Sequence, residues 1–151
     1  MPVRTIRAFL DENDVRYVIV QHSPAYTAPE IAESVHVSGR AFAKSVMVRL
    51  DGHLAVVVVP ATQQVDLDAL AAATGAQRVE LAEESEFAAC FPDCDPGSVP
   101  PFGNLFGLPV YISAALPREE ELVFNAGRHT EVMRLAYSDF ERLVSPTVVD
   151  I

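Results

Sequence analysis

The chain has 151 residues, half of them hydrophobic, which suits one domain with a sizeable core and leaves little room for two. Twenty-one acidic residues against eleven basic give a net charge of −10. That excludes an extended disordered chain, given the apolar content, and a broad basic face coating duplex nucleic acid; a small basic pocket for one strand end stays open.

Elements follow in chain order. Ile6, Phe9 and Leu10 have helical spacing, and the spacing predicts a helix over 5–12. Val15 to Val20 is rich in β-branched residues and reads as a strand. His22-Ser23-Pro24-Ala25 is a turn. Thr27 and Glu30 form a capping box opening a short helix with Ile31 and Val35 on one face. Lys44 to Leu50 and Leu54 to Val59 are two strands around Asp51-Gly52, a hairpin signal. The second strand is apolar throughout, so both its faces should be covered. Asp66 caps a helix that stops at Gly75. A short strand over 79–81 and a short helix over 83–91 follow. Pro92 to Pro109 is too rich in proline and glycine for a regular helix or central strand, yet it carries Val99, Phe102, Leu105, Phe106 and Leu108. An apolar irregular loop must pack against something. Strands over 110–112, 122–125 and 132–135 come next, the last two joined at a tight corner, Ala126 to His129. Ser138 with Glu141 reads as a second capping box, with Phe140 and Leu143 inward. No linker, repeat or low-complexity tract divides the chain. A single mixed α/β domain over 1–151, with a largely antiparallel sheet, is expected.

The residues exclude several chemistries. Neither a G-x-G-x-x-G nor a G-x-x-x-x-G-K-[ST] loop is present, nor a G-x-S-x-G elbow. Cys90 and Cys94 form C-x3-C without a partner pair, so two reduced thiols are expected and no metal site. The longest apolar run, near Leu54 to Ala61, is too short to span a membrane, and no signal peptide is apparent. His22 and His129 flank loops and are candidates for a cleft; His36 and His53 are not. The cations are ten arginines and one lysine, Lys44. Arginine replaces a solvated lysine easily, but not where a compact ammonium must fit. Lys44 and Ser45 point to opposite faces of a strand and do not suit a Ser–Lys pair. Lys44, the Pro/Gly loop through Gly103 and the Gly127–His129 corner could together make a small carbonyl-polarising site.

Three segments carry a resemblance: Phe42-Ala-Lys44-Ser-Val46, Gly97-Ser-Val-Pro-Pro-Phe-Gly103 and Phe124-Asn-Ala-Gly127-Arg-His129-Thr. They resemble, in order and spacing, those of the YbaK-type aminoacyl-tRNA deacylases, which include the editing domain of prolyl-tRNA synthetase and its free-standing relatives. The resemblance runs from about Thr5 to Pro146, and the V-P-P-F-G form is similar to the free-standing alanyl-tRNA-editing branch. It implies a barrel-like sheet flanked by short helices, and hydrolysis of the ester joining an amino acid to the terminal adenosine of tRNA. The family's lysine falls on Lys44, its glycine loop on Pro100 to Gly103, and its second glycine corner on Gly127 with His129 beside it. The implied catalytic set is Lys44, Gly103, Gly127 and His129. The candidate substrate-binding residues are His22, Tyr26, Thr27, Pro100, Pro101, Phe102, Asn125 and Arg128, with Phe102 as a pocket wall. No metal or cofactor is implied. The expected partners are the acceptor end of a mischarged tRNA, with prolyl-tRNA synthetase as a second, in the cytoplasm, and neither DNA nor a membrane. Arg40, Lys44, Arg128 and Arg134 could form a local basic patch. Beside alanyl-tRNA(Pro) deacylation three other readings remain at this level: a deacylase for another small amino acid (Ser, Thr, Cys or 2-aminobutyrate), a non-catalytic tRNA- or synthetase-binding module, and an acyl hydrolase using Cys90 or Cys94 beside His129.

Overall fold

The computed structural model describes residues 2–22, 29, 31–32, 41–90, 94, 99–116, 121–128 and 130–151, with backbone only at 2–5 and 90. Helix α1 (Pro2–Glu12) leads into strand β1 (Tyr17–Gln21). The hairpin follows as β2 (Phe42–Leu50) and β3 (His53–Pro60). Its turn residues, Asp51 and Gly52, have φ of 49° and 86°, the positive pair that a two-residue turn of matching twist requires. Helix α2 (Leu67–Thr74) begins where the Asp66 carboxylate accepts from the Ala69 N–H at 3.0 Å and ends at Gly75 in the left-handed region. Strand β4 (Val79–Leu81) and the one-turn helix α3 (Glu84–Phe87) come next. A 3-10 turn (Gly103–Phe106) precedes β5 (Val110–Ser113). Then come β6 (Glu121–Asn125), β7 (Glu131–Ala136), α4 (Tyr137–Val144) and β8 (Thr147–Val149).

All eight strands join one sheet, in the order β1-β7-β6-β2-β3-β5-β8, with β4 also on β2. The longer ladders are antiparallel: β2 with β3, β1 with β7, and β6 with β7. Three shorter ones are parallel: β2 with β6, β3 with β5, and β5 with β8. The sheet curls around one main core. Ala43 and Met47 of β2, Val56 and Val58 of β3, Ile112, Phe124 and Leu135 meet there with Ile6 and Leu10 of α1 and Phe140 of α4. This is the mixed, mainly antiparallel and barrel-like architecture expected from sequence. Because side chains alternate along a strand, the even-numbered residues of β2 face the other way. There they split into two smaller apolar clusters. One gathers Phe42, Ala61, Val123 and Val132 with the helical Ile31 and Ala32. The other gathers Val48, Ala55, Val57, Val59 and Leu70, with Val46 against it. So β3 is covered on both faces, as its unbroken apolar run predicts. Among the described residues no helix is long and apolar enough to cross a membrane.

Two expectations change. The second capping box is absent: α4 begins two residues early, with Ala136 as a cap that makes no side-chain bond, and Ser138 is exposed inside the helix. Burial of Tyr137 together with Phe140 sets that start. Strand β8 has no sequence signal beyond three residues and is held by its pairing with β5. The first capping box, at Thr27 and Glu30, lies outside the described residues.

Candidate active site

Lys44 sits near the start of β2, directly across from Val59 and on the outer face of the sheet. It lies at the seam between the two smaller clusters, with Phe42 and Val46 two residues away on the same face. The ammonium forms no ion pair among the described residues, and partial burial pulls its pKa below the ordinary lysine value. Desolvating a cation costs stability, so the position asks for an explanation beyond packing.

The sheet opens beside it. Strand β2 pairs with β6 at Phe42↔Val123 and Ala43↔Phe124, where the ladder stops. Further along, the same edge of β2 takes β4, at Val48↔Leu81 to Leu50↔Val79. Between them the edge changes partner, and β6 leaves into the Gly127 corner. Continuing the β2–β6 register by one residue sets Asn125 beside Lys44, on the same face. Asn125 is 5% exposed, and its Oδ1 has no hydrogen-bond partner among the described residues. Gly127 follows with φ of 101°, a conformation that suits glycine, and is buried. The corner closes with the Ala126 N–H donating to the Glu131 carbonyl at 3.2 Å. The backbone N–H of His22 donates to the Thr130 carbonyl at 2.9 Å, tying the end of β1 to this corner.

Lys44 and Asn125 thus lie on one face of the sheet where β2 and β6 part, Gly127 follows two residues after Asn125, and Arg128 is exposed on the corner. Tyr26, Thr27, His129 and Arg40 lie outside the described residues. The guanidinium of Arg134 is held by Glu121 at 2.8 Å, so it is not a free member of a basic patch.

The Pro100–Gly103 segment is placed differently from the expectation. Pro100 and Pro101 are buried. Phe102 is fully buried in the main core, on the face opposite Lys44. Its ring centroid lies 5.4 Å from that of Phe140, 5.5 Å from that of Phe124 and 6.3 Å from that of Phe9. It is a core residue and not an open pocket wall, because an apolar loop residue gains most by joining an existing aromatic cluster. Gly103 packs just as closely. A Cβ there would stand 2.9 Å from Cγ2 of both Val56 and Val110, and 3.1 Å from the Leu108 carbonyl oxygen. Gly103→Ala is expected to cost about 1–3 kcal/mol by overpacking, read as a lower urea midpoint. An unchanged midpoint would show that the two valines can move aside.

Residues that sequence reasoning missed are Val46 and Val59, the apolar neighbours that flank Lys44 on its own face. Simple alternation along β2 could have found Val46. A polar concavity lined by Arg49, Asp51, Gly52, Gln77, Arg78 and Glu80 lies at the far end of β2, ~16 Å along the strand from Lys44. Its two arginines are held by carboxylates, Arg49 by Glu80 at 2.6 Å and by Glu86, and Arg78 by Glu80. Among the described residues no group of three or more histidine, cysteine or carboxylate side chains could hold a metal ion.

The fold is similar to that of several solved proteins. The hypothetical protein APE2540 is 17% identical with a TM-score of 0.84, over 96% of this chain and 97% of that one. A protein proposed as a trans-editing enzyme for prolyl tRNA synthetase is 21% identical with a TM-score of 0.82, over 99% and 95%. In a protein from Marinobacter aquaeolei VT8, proposed to act in signal transduction, the match covers 97% of this chain but 30% of the other. Identity there is 15% and the TM-score 0.73. Residues 22–143, a span holding Lys44, Asn125 and Gly127, match the aminoacyl-tRNA editing domain. The chain belongs to the aminoacyl-tRNA editing domain family.

Proposed function

We propose that the protein is a trans-editing hydrolase that deacylates tRNA carrying the wrong small amino acid, with alanyl-tRNA(Pro) as the first substrate. The observation that carries this is the half-buried Lys44, which has no ion-pair partner among the described residues, where β2 and β6 part ahead of the Gly127 corner, in a chain of the editing family. Water attacks the ester carbonyl. Negative charge grows on the carbonyl oxygen, and an ammonium with backbone N–H groups beside it favours the transition state over the ground state. Lys44 supplies the cation and the glycine corner supplies N–H groups. A free hydroxyl of the terminal ribose serves to activate the water, with His129 as the alternative base. The acidic body repels the rest of the nucleic acid, so contact is confined to the acceptor end, with prolyl-tRNA synthetase as a second partner. The setting is the cytoplasm, where charged tRNA is found.

The test is a matched panel of tRNA(Pro) charged with Ala, Ser, Thr, Cys, 2-aminobutyrate or Pro. Alanine is expected to leave fastest and proline slowest. One methylene in an apolar pocket is worth roughly 10–200-fold, so neighbouring substrates should differ by that order. Stable ester on every tRNA, with folded protein, would favour a binding module that holds the acceptor end without turnover.

A further inference from the structure

Asn125 raises a question that burial alone does not answer. Buried polar atoms in folded proteins nearly always have a hydrogen-bond partner, and an orphan costs stability. Asn125 is 5% exposed, and its Oδ1 accepts no bond from the described residues. A leucine would fill a similar volume without that cost. The position is the last residue of β6, one residue past the end of the ladder with β2, and it shares a face with Lys44, the next residue of β2. Two neighbouring groups of opposite character thus face the same opening. The lysine ammonium only donates; the amide oxygen accepts.

An α-aminoacyl ester presents the complementary pair. Its carbonyl oxygen accepts, and its amino group, one carbon away, donates. We infer that Asn125 Oδ1 receives the α-amino group of the aminoacyl ester while Lys44 attends the carbonyl side, so that the site is selective for esters whose amine is free. The inference rests on the aminoacyl ester substrate proposed above and adds a chemical class to it: N-acylated aminoacyl-tRNA is excluded. A neutral amide suits this place better than a carboxylate. Aspartate would form an ion pair with Lys44 and withdraw the cation from the ester.

The experiment uses the full chain and two matched probes. One is the hydrolysis-resistant alanyl amide of 3′-amino-3′-deoxyadenosine, with its amine free or acetylated, measured by equilibrium binding. The other is alanyl-tRNA(Pro), free or N-acetylated, measured by hydrolysis. The wild-type protein is expected to favour the free amine by roughly 10–150-fold, the range of a hydrogen bond to a charged group. Asn125→Leu should erase that preference by weakening only the free-amine forms, while its thermal midpoint holds or rises, which a structural asparagine would not allow. Asn125→Asp keeps an acceptor, so it should retain the preference in binding while turnover drops. A wild-type protein without preference, or an Asn125→Leu that weakens both forms alike, overturns the inference and points to a sugar contact or a packing role. An Asn125-dependent amine preference in binding without any turnover would sink the hydrolase and keep this assignment; neither binding nor turnover would sink both.

Discussion

Lys44→Ala is expected to lower single-turnover hydrolysis of alanyl-tRNA(Pro) by roughly 100–1,000-fold, the cost of removing one electrostatic contact to a developing oxyanion. The fold should survive, because the ammonium makes no ion pair among the described residues and stands at an opening in the sheet. Far-UV circular dichroism alongside the rate separates the two effects. A folded variant with an unchanged rate would remove Lys44 from the mechanism. Lys44→Arg should also be impaired, since a planar fork does not reproduce a compact ammonium. The pH dependence has a definite sign. Burial lowers the pKa of Lys44, so the folded protein releases this proton at a lower pH than the unfolded chain. The catalysed rate, corrected for spontaneous ester hydrolysis, should therefore fall on the alkaline side before the ordinary lysine range is reached. Stability moves the other way. In the window between the folded and unfolded pKa values the unfolded chain binds more protons, so stability gains as pH rises through it. At neutral pH the penalty of the buried charge is fully present, and Lys44→Met should hold or raise the thermal midpoint while activity is lost.

Phe102→Ala is the largest expected change in stability. Its ring is fully buried among Phe9, Phe124 and Phe140, and truncating such a phenylalanine costs about 3–5 kcal/mol. A urea titration should show a much lower midpoint, with partial unfolding a real outcome for a domain of this size. Phe102→Leu, which keeps most of the volume, should be milder and leave the order of amino acids in the panel unchanged. If Phe102→Leu instead shifted the ratio of larger to smaller amino acids while the midpoint held, the ring would belong to the substrate pocket.

What was legible in the sequence was mostly local. Asp51-Gly52 encodes its turn, Asp66 and Gly75 encode both ends of α2, and the unbroken apolar run of β3 encodes a strand covered on both faces. Each of these depends on neighbours within a few residues. Phe102 is different. Its loop composition says only that the side chain must be buried somewhere, and whether it meets substrate or Phe140 depends on a partner far along the chain. The β2–β6 and β3–β5 pairings are equally silent, because parallel ladders leave no turn in the sequence to announce them. Lys44 was found as the chain's one lysine. The opening beside it could not be found that way, since it exists only because one edge of β2 is shared between β6 and β4.

The β1–β7 ladder sets a schedule for folding during synthesis. Tyr17 pairs with Leu135 and Gln21 with Glu131, so β1 waits for a strand made more than a hundred residues later. At the usual ~5–20 residues per second, that wait lasts roughly 6–24 seconds. Through it the edge of β1 has no strand to pair with, and Val18 remains more than half exposed even in the finished protein. The hairpin of β2 and β3 can form as soon as it emerges, but the sheet cannot close around its core until β7 arrives. Ribosome-bound chains stopped before residue 131 should therefore be protease-sensitive around β1, and they should be bound by chaperones in preference to the released protein.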